Sequence, residues 1–464
     1  MFDIDEKDAA IVDGIVAAAR SAMTEISHYS QEDADRMVKA VAWAIYRDDR
    51  ALELAEMAVE DTGLGNVPDK ITKNKRKTLG ALNDLMKEIT VGQQSHEPEL
   101  GLTTYAKPVG VVGTMTPSTN PAATPVNQAM MALKCKNAII ISPSPAGART
   151  AYRVRDFIHA ELDRIGAPRD LFQVIPQPIN KKKAQYLAQV VDLIIVTGDQ
   201  TNVRDGYRSG TPCIGVGKGN VPVIIDKSAD LKDAAQKILL SKCFDNATSC
   251  SSENAAIAHS DIYDGFVDAL RGVGGYVCSP EQVAEVEAGL FQGGNINRHF
   301  VGQSIDKLFA LLGWPAPSED VRFLIVPQDS VGADSPLSGE KLSLILSLYK
   351  ADDFEAAKAK AFEILDYEGI GHSVGIHTTD PSQPEDLAAS ASVARVLVNQ
   401  AHTFGNGGGF NNSLPFTLSM GCGTWAGNSI SENLSVKNFY NVTKLVRTID
   451  KPEPDPEQLF SGFE

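Results

Sequence analysis

Short, uninterrupted apolar runs separated by helical patterns constrain this chain more than any other feature. Ala138–Ser142 (AIIIS), Phe172–Ile175, Leu193–Val196 and Val223–Ile225 are such runs in the first half. Ala255–His259, Phe323–Val326, Leu344–Tyr349, Val374–His377 and Arg395–Val398 repeat the texture in the second. A strand with no polar face must be covered on both sides. A parallel sheet wrapped by helices provides that cover. The fold class is therefore α/β, with a doubly wound arrangement in at least the first half.

Four helices are predicted ahead of the first sheet. In the first, Ile11, Val12, Ile15, Val16, Ala19, Met23 and Ile26 form one apolar stripe. The second opens at Ser30, where S-Q-E-D reads as a cap with an acidic first turn. The third covers Ala51 to Glu60 and the fourth Lys70 to Ile89. A domain boundary is placed near residue 242, after a helix at Leu231–Lys242. This gives residues 1–242 as N-terminal helices plus a Rossmann-like unit and 243–427 as a second α/β unit. Residues 428–464 form a C-terminal segment. The Pro-rich end, KPEPDPEQLFSGFE, reads as extended or frayed.

Of 464 residues, 43 are Lys or Arg and 59 are Asp or Glu, a net of −16. That balance argues against nucleic acid or an anionic membrane as a partner. No apolar stretch is long enough for a membrane helix, and MFDIDEKDAA lacks the features of a secretory signal. Six cysteines without a C-x-x-C pair indicate a cytoplasmic chain with reduced thiols. The eight histidines make no zinc-spaced cluster, so no metal site is expected.

Five segments carry possible chemistry. In FDNATSCSSENA (244–255), Cys250 sits among small polar residues before a strand, where a loop can present a thiolate to a cleft. The other reading is an inert buried thiol. In PSTNP (117–121), the prolines stiffen a loop that aims Asn120, either as an oxyanion donor or as part of a plain turn. GVGKGN (215–220), with Gly217, precedes a strand, so it is not an ordinary dinucleotide fingerprint. VTGD (196–199) puts Gly198 at a strand end, where nucleotides bind in open α/β sheets. GCGTWAGNSISENL (421–434) reads as close backbone packing.

In this order these segments resemble the CoA-acylating branch of the aldehyde dehydrogenase superfamily, from about residue 10 to residue 447. KPVGVVGTMTPSTNP, KNAIIISPSP, GNINRHFVGQS, EKLSLIL and YEGIGHSVGIH add to the match. The resemblance implies a Rossmann-like cofactor domain beside a catalytic α/β domain, assembled as a homodimer or homotetramer. It also implies that the C-terminal segment packs on the first unit or on a neighbouring subunit. It implies Cys250 as nucleophile, with Asn120 and the backbone N–H of Cys250 as oxyanion donors. Ser142, Pro143 and Ser144 would flank the adenosine half of NADP or NAD. Gly198 would lie near the pyrophosphate, and Glu340 would hold the nicotinamide ribose. His372 matches a position typical of the acylating branch. Leu344 stands where the family often has proline. Bifunctional relatives add an alcohol dehydrogenase domain, and others enter microcompartments; neither is expected for this chain.

The hydrolytic members carry a water-activating glutamate at a position aligned with about Gly215, and no carboxylate occurs from Thr211 to Ile225. Without that base, thiolysis by CoA should win over hydrolysis. Thr248 and Ser249 replace the apolar residues usual before the nucleophile. They favour a short anionic aldehyde, sulfoacetaldehyde first and succinate semialdehyde second. Arg208 and Arg298 are further anion-binding candidates, unless they are solvated or touch cofactor phosphates. NADP is favoured over NAD because the ISPSP turn has no acidic residue, and Arg149 could hold the 2′-phosphate. A hydrolytic dehydrogenase and a catalytically silent assembly subunit are the rival readings.

Overall fold

The structure is a computed structural model that describes residues 4–463. Three of the four apolar runs of the first half lie in a sheet of five parallel strands, in the order Phe172–Val174, Ala138–Pro143, Val111–Thr116, Leu193–Val196, Cys213–Gly215. In chain order this is 3-2-1-4-5, so the connections reverse direction on either side of Val111–Thr116. A crevice opens outside the carboxyl ends of the strands at such a switch. Ile139, Ile140 and Ile141 are fully buried and share one core with Val12, Val38, Val41 and Ile45 of the N-terminal helices. Each such side chain contributes about 1.5–3 kcal/mol by leaving water.

Four N-terminal helices form, over Glu6–Glu25, Gln31–Tyr46, Asp48–Thr62 and Val67–Leu85. The S-Q-E-D signal is a full capping box. Ser30 Oγ accepts from the backbone of Asp33, whose carboxylate accepts from the backbone of Ser30. Asn66 caps the fourth helix, accepting from the Asp69 N–H at 2.9 Å.

The second sheet has seven parallel strands, in the order Gly275–Val277, Phe323–Pro327, Ile345–Ala351, Glu253–His259, Val221–Ile225, Val374–His377, Val396–Val398. Val221–Ile225 lies inside this sheet, hydrogen-bonded on one side to Glu253–His259 and on the other to Val374–His377. The chain therefore changes sheets between residues 215 and 221, not near 242. The helix over Leu231–Cys243 already belongs to the second core, through Ala234, Ala235 and Ile238. Helical periodicity gives no sign of which sheet a helix covers, so the placement at 242 was late by one strand and one helix.

A third, antiparallel sheet sets Leu102–Pro108 between Gly92–Glu97 and Tyr440–Val446. Leu434, Val436 and Phe439, just before its last strand, are buried in the core of the five-stranded sheet. The tail is exposed and includes a short helix over Pro456–Leu459.

Candidate active site

Cys250 lies in the loop leading to Glu253–His259, the central strand of the seven. That loop leaves the preceding helix through three successive left-handed residues, Asp245, Asn246 and Ala247, with φ of 50°, 52° and 59°. None is glycine, so each costs on the order of 1–2 kcal/mol and needs an anchor. Asp245 supplies it. Its fully buried carboxylate accepts from Lys73 Nζ (2.5 Å), Lys70 Nζ (3.1 Å), Thr248 Oγ1 (2.7 Å) and the Asn66 N–H (3.0 Å). Burial works to raise this carboxyl, and the two lysines overcome it and hold the group below its usual range. Asn246 Nδ2 ties the loop to the Gly65 and Gly302 carbonyls.

Lys73 also donates to Asn120 Oδ1 at 2.9 Å. With its oxygen taken, the Asn120 amide can present only its N–H₂ group elsewhere. The sole partner of that group among the described residues is Thr119 Oγ1 at 3.3 Å. Asn120 and Cys250 line one cleft of about 1060 Å³. Burial first, then the Glu340 carboxylate, pushes the Cys250 thiol up to about 12. Glu340 is itself buried and raised to about 8, against the pull of Lys218. Beside Cys250 the chain is pure backbone. A Cβ at Gly219 would lie 2.2 Å from the Cys250 carbonyl oxygen and 2.7 Å from its Cβ. No side chain, and so no carboxylate, fits at position 219.

The cofactor candidates divide. Ser142, Pro143, Ser144, Gly198, Gly217 and Glu340 all line the cleft. Gly198 has φ +134°, a value side chains rarely adopt, and the Thr116 hydroxyl nearby is buried with no partner. Strand ends at a switch point, an unpaired hydroxyl and a buried carboxyl group fit a dinucleotide. Arg149 does not join them. Its half-exposed guanidinium pairs with Glu60 and Asp61, at 2.5 and 2.6 Å. Lys181, which the sequence reading missed, lines the cleft instead and meets Asp205 at 3.1 Å. The K-K-K run was its only signal.

The substrate candidates divide too. Ser249 and Arg298 line the cleft, and Arg298 sits in the field of Asp199. Thr248 lines it but gives its hydroxyl proton to Asp245. Arg208 is exposed at the end of its helix, outside the cleft wall. His372 is buried behind the wall, where Nδ1 shares a hydrogen bond with Ser373 Oγ at 2.8 Å. Burial drives its pKa far down, so it is a neutral imidazole that brings no charge to an anion. All six cysteines are free, and no group of metal-ligating side chains occurs among the described residues.

Residues 1–273 match the family model described as the aldehyde dehydrogenase family. The chain is 46% identical to a sulfoacetaldehyde dehydrogenase (acylating) of Cupriavidus necator, over 98% of this chain and 92% of that protein. It is 36% identical to a succinate-semialdehyde dehydrogenase (acetylating) of Clostridium kluyveri, over 93% and 94%. A crystal structure of an acetylating aldehyde dehydrogenase from Geobacillus thermoglucosidasius superposes with a TM-score of 0.93 at 33% identity. It covers 98% of this chain and 100% of that one.

Proposed function

The chain belongs to the aldehyde dehydrogenase family, in its CoA-acylating branch, and from that premise we propose that it converts sulfoacetaldehyde and CoA to sulfoacetyl-CoA. The Cys250 thiolate adds to the aldehyde carbon. The Asn120 amide and the Cys250 backbone N–H donate to the resulting alkoxide. A bound nicotinamide nucleotide supplies the hydride acceptor, and a thioester remains on Cys250. The CoA thiol then takes the acyl group, returning the cysteine.

The observation that carries this reading is the pairing of a cleft thiol with an amide whose oxygen is already occupied by Lys73. The glycine backbone packed on Cys250 supports thiolysis, since the 215–219 segment carries no carboxylate there to activate water. Ser249 in the wall, and 46% identity to a relative named for sulfoacetaldehyde, support the substrate. The Clostridium relative keeps succinate semialdehyde as the second reading.

NADP is the favoured nucleotide. The Ser142–Pro145 turn has no carboxylate to repel a 2′-phosphate, and Lys181, paired with Asp205, lines the same cleft. Six free thiols fit a reducing cytoplasm, and among the described residues no helix is long and apolar enough to cross a membrane. The exposed edge strand Tyr440–Val446 supports a homodimer or homotetramer.

The test is nicotinamide reduction with and without CoA across a panel of aldehydes, with mass spectrometry of the enzyme when CoA is withheld. Turnover should require CoA, an acyl adduct should sit on Cys250, and sulfoacetaldehyde should give the highest kcat/KM. Turnover without CoA would exclude thiolysis. Equal or better kcat/KM with acetaldehyde would remove the anionic substrate.

A further inference from the structure

Arg76 follows Lys73 by three residues on the Val67–Leu85 helix, so the two share a face. It lines the same cleft as Cys250. Its guanidinium carbon lies 5.4 Å from the ring centre of Phe404, 4.7 Å from Phe410 and 6.0 Å from Phe416. Phe404 packs in turn on Phe244, at 4.7 Å between ring centres, in the segment that leads to Cys250. The helix makes room for this frame with a glycine. A Cβ at Gly80 would lie 2.2 Å from the Phe416 ring.

Among the described residues nothing accepts a hydrogen bond from Arg76, and no carboxylate pairs with it. Burial lowers its pKa with no acid opposing the effect. Five N–H donors in a planar fork are thus held in an apolar frame with nothing to bind. Aromatic faces tolerate the cation, and its partial burial strengthens its attraction for an anion entering the cleft. Four other cations of the wall are committed, and a fifth, Arg298, lies in the field of Asp199. Lys73 is held by Asp245, Lys181 by Asp205 and Lys218 by Glu368. Lys77 donates to the Gly407 carbonyl at 2.6 Å, and burial pulls it down to about 7.

We propose that Arg76 is the specificity-determining residue that takes the terminal sulfonate or carboxylate of the aldehyde while its carbonyl carbon meets Cys250. Two acid oxygens match the guanidinium fork, and the aromatic frame fixes its direction. The proposal rests on the anionic-aldehyde reading above and names the group that enforces it.

The test compares kcat/KM for sulfoacetaldehyde and for acetaldehyde in the wild type, Arg76→Met and Arg76→Lys. The sulfoacetaldehyde-to-acetaldehyde ratio should fall about tenfold or more in Arg76→Met, the scale of a lost charged hydrogen bond. Arg76→Lys keeps the charge without the fork and should give an intermediate ratio. A second readout needs no turnover: ethanesulfonate should shield Cys250 from iodoacetamide. The half-shielding concentration should rise about tenfold or more in Arg76→Met. If the wild type prefers sulfoacetaldehyde but neither quantity moves by that much, Arg76 is not the determinant and the substrate reading stands. If the wild type shows no preference, the substrate reading fails and this proposal fails with it. A raised KM for CoA with an unchanged ratio would assign Arg76 to CoA phosphates and overturn the proposal.

Discussion

Lys73 joins two parts of the site that are far apart in sequence. One ammonium group donates to Asn120, to Asp245 and to Thr248. It touches no reacting atom in the proposed chemistry, so it is a positioning residue that acts through the Asn120 amide. Lys73→Met should free that amide to rotate and lower kcat by roughly ten- to a hundredfold. That is somewhat less than the ~10²–10³ for losing an oxyanion donor outright. KM for CoA should change little. The decisive measurement is the double variant. Lys73→Met combined with Asn120→Ala should lose less than the product of the two single losses, because part of the Lys73 effect acts through Asn120 and the rest through Asp245. Additive losses would show that Lys73 works by another route. Cys250 and Asn120 stood out in the sequence as polar loop residues beside strands, and the family resemblance gave them their roles. Lys73 was not, because a lysine in a helical pattern reads as surface until tertiary packing buries it.

At the scale of elements, the Val67–Leu85 helix organises the cleft. Lys70 and Lys73 fix the left-handed turn, and Arg76 and Lys77 line the wall. The sequence showed this segment only as helical and placed its start three residues late. Nothing in its periodicity separates cations facing water from cations facing a cleft. Asp245 is what allows the first two to be buried. Asp245→Asn keeps the shape but leaves two buried ammonium groups without a carboxylate, at a cost of about 3–5 kcal/mol. The pH dependence follows from Lys70, already drawn down to about 8 by burial against the pull of Asp245. Without Asp245 its folded pKa falls further, while the unfolded value stays near ~10.4. Between those values the unfolded chain binds more protons, so stability rises with pH. The folded value of the variant lies lower, so its rise begins at lower pH. Urea unfolding should therefore show the gap from wild type narrowing as pH rises from about 6 to 8. A gap that widens over that range would mean Lys70 is not the group left exposed to the loss.

For the whole molecule, the sequence conveyed the alternation of strands and helices, since a fully buried strand has a pattern of its own. The change of sheet was not legible, because Val221–Ile225 has the same apolar character as the strands of either sheet. Nor was the last strand, Tyr440–Val446, whose residues are mostly exposed and show no buried face. That strand pairs with Leu102–Pro108 on one side only, leaving its other backbone edge open. Val442 is 48% exposed, Leu445 40% and Val446 69%. An open, apolar edge is a template for pairing with another chain, and a lone copy would have to protect it. The proposed assembly with a second copy would provide that protection. Glutamate at both Val442 and Val446 would place like charges along the edge of each copy and oppose that pairing. Light scattering of the double variant should give the mass of one chain where the wild type gives a multiple. Circular dichroism should be unchanged, because the edge lies outside the hydrophobic cores. A variant that keeps the wild-type mass would place the subunit contact elsewhere on the surface.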